Sequence, residues 1–251
     1  MDPVYWGVVG VIRTLFRVQG LRFTLTGTEY VPRRGGAVMA LNHTGYLDYM
    51  YAGLAAQPHR RLVRFMAKDA VFRHKVSGPL MRGMKHIPVD RSSGAAAYQL
   101  AVEALRAGEI VGVYPERTIS RSFELKDFKT GAVRMAQDAD VPILPTIVWG
   151  AQRVWTKDHP KRIGRTKIPI HVAIAPPMTV SPGEDPGVAT ARLKQVMSEL
   201  LERVWSVYPP VSEAEQVFVP KRLGGRAPSI EEAVEIRRAE LERRGQPPEW
   251  A

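Results

Sequence analysis

Short apolar segments alternate with helix-forming segments along most of this chain, and this alternation restricts its fold more than any other feature. Because each strand is followed by a helix before the next strand, the pattern predicts an α/β domain with a mostly parallel, mixed central sheet flanked by helices. A length of 251 residues fits one such domain with a substantial buried core. The clearest strand predictions are residues 37–41, 62–67, 86–89, 110–114 and 143–149.

Three parts of the chain differ in composition. Residues 1–20 predict an amphipathic N-terminal helix, with apolar side chains on one face and Arg13 and Arg17 toward the other. Such a helix is typical of a membrane interface, although a helix that merely caps the core has the same pattern. Residues 21–215 are the expected α/β domain. Residues 216–251 follow several prolines and glycines and are predicted to be a linker and a charged, partly helical segment.

The composition also excludes several classes of site. The chain has no cysteine, so disulfides, thiolate metal sites and cysteine nucleophiles are ruled out, and a reducing compartment is expected. The six histidines lack metal-ligand spacing, so no metal is expected, and there is no Gly-x-Ser-x-Gly elbow. No run approaches the roughly 20 apolar residues that cross a bilayer. With no secretory leader apparent, we expect a peripheral or monotopic protein on the cytoplasmic face of a membrane.

Positive charge is concentrated in one stretch. The formal net charge is +11, and residues 58–91 contain nine Lys and Arg against two Asp. A block of this kind favours an anionic partner, which could be nucleic acid, acidic lipid headgroups or a phosphorylated substrate. A merely solvated basic surface fits the charge equally well.

One cluster has the residue types of a catalytic base. Asn42 and His43 directly follow the predicted strand 37–41, and Asp48 lies in the first turn of the next helix. Such strand ends are where active sites form in open α/β sheets. The Asp48 carboxylate can reach one imidazole nitrogen and leave the other free as a general base, which would activate a hydroxyl of the substrate itself. The alternative is a structural histidine hydrogen-bonded near a helix cap.

Four blocks in order give the chain a resemblance to a known family. They are residues 42–48, 83–91, 114–120 and 141–145. In this order they resemble the Asn-His-x4-Asp, Gly-x-Ile-x-Ile-x-Arg, Phe-Pro-Glu-Gly-Thr-Arg-Ser and Val-Pro-Ile-x-Pro blocks of the glycerolipid acyltransferase family. The likeness is greatest to its 1-acyl-glycerol-3-phosphate (lysophosphatidic acid) acyltransferases. Each block alone is weak evidence, whereas the ordered set is specific.

The resemblance implies a reaction and two catalytic residues. His43 would be the general base and Asp48 the residue that orients it. The base would take a proton from the free glycerol hydroxyl, which attacks the thioester carbonyl of acyl-CoA or acyl-carrier protein to give phosphatidic acid. The thioester is a co-substrate, and no further cofactor is implied. The partners expected are therefore a lysophospholipid, an acyl thioester and an anionic membrane surface, and not nucleic acid.

The resemblance also implies residues that bind the acceptor. Arg91 and Lys68 would hold its phosphate, while Glu116 and Thr118 would shape its site. The remaining motif residues, Asn42, Pro115 and Pro142, are expected to support the site, with the block at 141–145 toward the acyl chain.

The third block departs from the family pattern. Ile119 stands where the family has a phosphate-binding arginine, and Arg117 stands where it has glycine. Arg121, with Arg91 and Lys68, is a candidate to compensate. The departure leaves open a different lysophospholipid or glycolipid acceptor and an inactive lipid-binding relative. The net charge and the basic block leave a nucleic-acid-binding module as a remote alternative. A second basic patch at 153–167 could contact lipid headgroups or the nucleotide of coenzyme A, or be a solvated loop.

Overall fold

Seven strands form one sheet in the computed structural model, which describes residues 2–90 and 94–245. The strand order is β1-β7-β6-β2-β5-β3-β4, and every neighbouring pair is parallel except β6 and β7. This confirms the predicted α/β class with a mostly parallel, mixed sheet. The strands are β1 Arg22–Thr26, β2 Ala37–Leu41, β3 Val63–Lys68, β4 Ile87–Val89, β5 Ile110–Val113, β6 Ile143–Trp149 and β7 Pro169–Ile174.

Helices cover both faces of the sheet, so the central strands β2 and β6 are buried on both sides. In β2, Val38 and Ala40 point into a core shared with α5, α6 and α7, while Met39 and Leu41 point into a second core with α1 and α2. The side-chain period of two in a strand produces this division. The helices are α1 Pro3–Gln19, α2 Asp48–Ala55, α3 Asp69–Arg73, α4 Ser77–Gly83, α5 Gly94–Arg106, α6 Gly131–Ala139, α7 Pro186–Val207 and α8 Ile230–Arg243.

The N-terminal helix α1 packs against the domain with one face and leaves the other exposed. Its Tyr5 hydroxyl donates a hydrogen bond of 2.7 Å to the carbonyl of Val63, and Phe16 packs beside Phe23. On the opposite side lie the exposed apolar residues Val4, Val11, Leu15 and Val18. Among the described residues, no helix is long and apolar enough to cross a membrane.

The segment after α7 packs against the domain, although its prolines and glycines suggested a linker. Phe218 is buried in the core, and Glu215 accepts hydrogen bonds from Arg153 and Arg162. Helix α8 begins with a capping box between Ser229 and Glu232, and its far end is half buried. The prolines therefore direct the chain across the domain surface and bring α8 close to the carboxyl ends of the strands.

Candidate active site

The carboxyl ends of β2, β5 and β3 bring the predicted site residues to one edge of the sheet. His43 follows β2, Tyr114 and Glu116 follow β5, and Lys68 ends β3. These strands are adjacent, with Ala40 opposite Val113 and Phe65 opposite Gly112. Parallel neighbours end at the same edge, so residues far apart in the sequence meet there.

His43 and Asp48 form a pair at this edge. The Nδ1 atom of His43 lies 3.0 Å from Oδ2 of Asp48. The same oxygen accepts the backbone N–H groups of Thr44 and Gly45, each at 2.9 Å. Because a carboxylate only accepts hydrogen bonds, it places the imidazole proton on Nδ1 and leaves Nε2 with a free lone pair. That arrangement can act as a general base.

The local sequence explains why this loop folds so tightly. Asp48 is the first residue of α2, where a carboxylate is favoured by the helix dipole. It is fully buried, and burial raises its pKa, against which the hydrogen bonds from His43, Gly45 and Thr44 act. Gly45 is needed because a Cβ there would lie 3.0 Å from the backbone of Ala151. The pair is therefore held by neighbouring segments that leave little room for movement.

Residues after β5 hold His43 from a second direction. The Tyr114 ring stacks on the imidazole, with 4.0 Å between the ring centres. Glu116 Oε1 accepts the backbone N–H of His43 at 2.8 Å, and the carbonyl of His43 accepts the N–H of Ser120 at the same distance. The loop after β5 therefore fixes both the face of the ring and the backbone beneath it.

Glu116 is a buried acid that ties two loops together. Its second oxygen, Oε2, accepts the backbone N–H of Lys126 at 3.0 Å. Burial raises the pKa of Glu116 to about 7, although the nearby Lys126 and the backbone donors act in the opposite direction. The Lys126 ammonium donates to the hydroxyl of Thr118 at 2.5 Å. Both predicted acceptor-site residues of this block thus belong to a network that shapes the site.

A cationic cavity lies beside Tyr114. It has a volume of about 450 Å³, and Tyr114 and Pro115 form part of its wall. Lys68, Arg117 and Lys129 also line it. None of these three forms an ion pair with the residues that the structure describes. Asp90 also lines the cavity, so three cations outnumber one carboxylate there. Such a cavity next to a histidine ring can hold an anionic group near the base.

The other basic candidates have different surroundings. Arg91 lies outside the described residues. Arg121 is almost buried and pairs with Asp158 at 2.5 Å and with Glu240 of α8 at 2.9 Å. Ile119 is buried, so its side chain packs into the protein where the family has an arginine.

The three supporting residues are distributed over both edges of the sheet. Asn42 joins β2 to β6, since its amide donates to the carbonyl of Val148 and accepts the N–H of the same residue. The buried Pro115 accepts the N–H of Lys129 at 3.1 Å. Pro142 precedes β6 and therefore lies at the opposite edge from His43, where its carbonyl accepts the N–H of Val38. The structure does not bring Pro142 to the site.

Much of the basic block at 58–91 is structural. Arg61 donates to the carbonyls of Pro32 and Gly108, and the buried Arg64 pairs with Asp2 and Glu109. The second patch is also engaged within the protein: Arg153 and Arg162 pair with Glu215, Lys157 lies 3.7 Å from Glu240, and Lys161 lies over the ring of Trp155.

Sequence reasoning missed the roles of Tyr114, Lys126 and Lys129. Tyr114 could have been found, because it ends a strand next to that of His43 in a parallel sheet. Lys126 and Lys129 lie in an irregular segment, and nothing in the sequence indicates that it folds back over Glu116. Among the described residues, no group of acidic and histidine side chains has the arrangement of a metal site.

Comparison with known proteins identifies the family of this chain. A family model described as Acyltransferase matches residues 22–149, half of the chain. The chain belongs to the acyltransferase family. The matched residues of this acyltransferase include His43, Asp48, Tyr114 and Glu116, and they end before α7 and α8.

Several curated relatives of this acyltransferase share a name. The 1-acyl-sn-glycerol-3-phosphate acyltransferase of Bacillus subtilis is 32% identical over 123 residues, covering 49% of this chain and 60% of that protein. The protein of the same name from Limnanthes douglasii is 30% identical over 182 residues, covering 71% and 61%. The chain thus spans about three fifths of the length of these relatives.

A solved structure shares the fold of this acyltransferase. It is the crystal structure of the 1-acyl-sn-glycerophosphate (LPA) acyltransferase PlsC from Thermotoga maritima. The TM-score is 0.62 over 80% of this chain and 82% of that one, with 18% sequence identity.

Proposed function

We propose that this protein moves a fatty acyl chain from an acyl thioester to the free hydroxyl of 1-acyl-glycerol-3-phosphate, which gives phosphatidic acid for phospholipid synthesis. The observation that carries the proposal is the His43–Asp48 pair, stacked on Tyr114 beside a cavity lined by three cations. The names of the curated relatives agree with it.

The chemistry needs one base and no covalent enzyme intermediate. His43 Nε2 takes the proton of the acceptor hydroxyl as its oxygen attacks the thioester carbonyl. The tetrahedral intermediate then collapses and the carbon–sulfur bond breaks. The imidazolium gives its proton to the leaving thiolate, which restores the neutral base. Asp48 stabilises that imidazolium and keeps the ring in the orientation that Tyr114 supports.

The cavity beside Tyr114 is the proposed site of the acceptor phosphate. Lys68 reaches it from β3, and Arg117 and Lys129 reach it from the segments after β5. Glycerol phosphate is short, so its phosphate must bind close to the hydroxyl that His43 activates. Arg91 follows β4 and remains a proposed phosphate ligand on the strength of the resemblance.

An apolar cavity fits the acyl chain. It has a volume of about 580 Å³ and lies between α1, α2 and α4, with Val8, Met50, Phe65 and Leu80 among the residues that line it. Helix α2 carries Asp48 at its start and lines this cavity one turn later. We propose that the exposed apolar side of α1 rests on the membrane that holds the lipid acceptor.

The test is thiol release by the purified protein in detergent. Palmitoyl-CoA, oleoyl-CoA and acyl-carrier protein would be the donors, and lysophosphatidic acid, glycerol-3-phosphate and neutral lysolipids the acceptors. We expect release with lysophosphatidic acid, and we expect His43→Ala to abolish it while the far-ultraviolet circular dichroism stays unchanged. Near-normal turnover in that variant would refute His43 as the base.

A second candidate acceptor is favoured by one observation. Because Ile119 is buried, the arginine of the family pattern has no counterpart at its usual position, while Arg117 and Lys129 line the cavity. A lysophospholipid or glycolipid with a different anionic headgroup could fit such a rearranged site. Faster release with such an acceptor than with lysophosphatidic acid would select this alternative and leave the roles of His43 and Asp48 intact.

A further inference from the structure

A second cationic cavity adjoins the first, and Glu116 and Thr118 form part of its wall. Its volume is about 320 Å³, and Arg117 and Lys129 line both cavities. Lys126, with Lys194 of α7, adds two further cations, while Ile230 and Val234 of α8 form an apolar wall. Lys194 and α8 lie beyond the residues that the family model matches.

Four cations line this cavity against two carboxylates, Glu116 and Asp127. The ammonium group of Lys126 is largely buried, and burial together with the charges of Arg237, Arg121 and Arg117 lowers its pKa, while Glu116 acts against this. Burial raises the pKa of Glu116, one of the two acidic side chains lining the cavity, to about 7. The other, Asp127, pairs with Lys194 at 2.8 Å. Clustered cations of this kind attract an anion that carries more than one negative charge.

We propose that this cavity binds the phosphate end of the acyl donor, the phosphopantetheine ester that acyl-CoA and acyl-carrier protein have in common. The proposal rests on the proposed function, which requires two anionic substrates at one base. The two adjoining cavities, which share Arg117 and Lys129, provide one site for each.

The chemistry of the substrates decides which cavity serves which. The acceptor phosphate is close to its reacting hydroxyl, so it belongs in the cavity formed by Tyr114, whose ring stacks on His43. The donor phosphate is separated from its thioester by the long pantetheine arm, so it binds farther away. The apolar wall of Ile230 and Val234 offers a surface for that arm.

Two lysines allow the cavities to be tested separately, because Lys68 lines only the first and Lys194 only the second. We expect Lys194→Gln to raise the KM for acyl-CoA about tenfold, which is the loss of one charge-assisted contact, and to leave the KM for the acceptor unchanged. Lys68→Gln should do the reverse. Arg203→Gln removes one charge from an exposed position elsewhere on α7 and is the control for net charge.

Asp127→Asn should change the KM for acyl-CoA in the opposite direction. The Asp127 side chain is 99% exposed and holds the Lys194 ammonium, so its neutralisation frees that cation for the donor. We expect the KM for acyl-CoA to fall about threefold, in line with the strength of an exposed ion pair. Loss of structure would not move the same parameter in opposite directions in two neighbouring variants.

Donors without a phosphate complete the test. With acyl-pantetheine, Lys194→Gln and the wild type should have the same KM, whereas acyl-CoA and acyl-carrier protein should both distinguish them. An equal rise with acyl-pantetheine, or a rise confined to the acceptor KM, would overturn the proposal. Binding of free coenzyme A, measured by calorimetry, should weaken about tenfold in Lys194→Gln and not in Lys68→Gln.

This binding measurement separates the two proposals. If the wild type releases no thiol from any donor, the proposed function fails, and the calorimetry still decides whether the cavity holds coenzyme A. If thiol is released but Lys194→Gln binds coenzyme A as the wild type does, the function stands and the donor site is refuted.

Discussion

At the scale of single residues, the site is organised around the imidazole of His43, which three neighbours hold. Asp48 holds its Nδ1 atom, Tyr114 covers one ring face, and Glu116 accepts its backbone N–H. Each restraint comes from a different part of the chain, so the ring is oriented before a substrate arrives. Such preorganisation reduces the entropy that the reaction would otherwise lose.

Asp48→Asn tests the orientation of the base. An asparagine can donate its amide N–H to Nδ1, which moves the imidazole proton to Nε2 and removes the free lone pair. We expect kcat to fall about 10³–10⁴-fold, as in triads that have lost the orienting carboxylate. Steady-state thiol release measures the effect. Asp140→Asn, at an exposed position after α6, should retain the wild-type kcat, and a fall of less than tenfold in Asp48→Asn would contradict the assigned role.

Glu116→Gln tests the buried acid through the pH dependence of stability. The pKa of Glu116 is about 7 in the folded protein against 4.5 ordinarily, so between these values the fold keeps a proton that the unfolded chain has lost. The contribution is therefore present at low pH and is lost as the pH rises toward 7, with a maximum of about 3 kcal/mol. Chemical denaturation at pH 5 and pH 7.5 should show a steeper fall for the wild type than for the variant. Parallel pH profiles would contradict the raised pKa.

At the scale of elements, the sequence predicted strands better than it predicted what packs on them. The strands Ala37–Leu41 and Ile143–Trp149 were predicted to the residue, because continuous apolar runs between turn signals are typical of buried strands. The antiparallel pairing of β6 and β7 was not specified, since both strands are buried along almost their whole length and show no alternation of apolar and polar residues. The position of Pro142 at the far edge follows once β6 is known to run parallel to β2.

Helix α1 shows the same limit. The sequence places its apolar residues on a single face, whereas the structure buries Tyr5, Val9 and Phe16 of that face and exposes Val4 and Leu15. Periodicity does not distinguish these two surfaces, because α1 is apolar around most of its circumference. Only the exposed apolar residues of α1, which include Val11, Leu15 and Val18, are therefore proposed to contact the membrane.

A triple substitution tests that stripe without opening the core. Val11, Leu15 and Val18 are 62%, 55% and 67% exposed, so replacing all three with serine should leave folding intact. We expect at least a tenfold loss of binding to anionic vesicles, since burial of one such side chain in an apolar phase contributes about 1.5–3 kcal/mol. Vesicle sedimentation measures the binding. Val207→Ser, at an exposed position at the end of α7, is the control. Unchanged sedimentation of the triple variant would exclude this face as the anchor.

At the scale of the whole molecule, the first and the last helix both pack next to cavities that we assign to substrates. At the N-terminal end, Asp2 pairs with Arg64, which brings α1 over the apolar cavity. At the C-terminal end, Glu240 of α8 accepts from Arg121 and Arg237, and α8 walls the cavity that we assign to the donor. Arg121, which the sequence suggested as a phosphate ligand, binds the carboxylate of Glu240 on α8.

Glu240→Gln tests whether α8 depends on this one carboxylate. Although burial acts against it, the hydrogen bond from Arg121 and the charge of Lys157 lower the pKa of Glu240 to about 2, so it is ionised at neutral pH. Removing its charge leaves Arg121, Arg237 and Lys157 close together without their common partner, a change that costs about 3 kcal/mol when buried pairs are broken. We therefore expect α8 to open more often and its amides to exchange hydrogen faster.

The same variant should also weaken donor binding, because Ile230 and Val234 would no longer wall the second cavity. Hydrogen exchange over residues 230–243 and the KM for acyl-CoA are the two measurements. Glu235→Gln is the matched control, since it lies on the same helix and, within residues 2–90 and 94–245, forms its one ion pair with the exposed Arg238. Equal exchange in the two variants would mean that apolar packing alone holds α8. Faster exchange in Glu240→Gln with an unchanged KM would mean that α8 is fastened there without serving the donor.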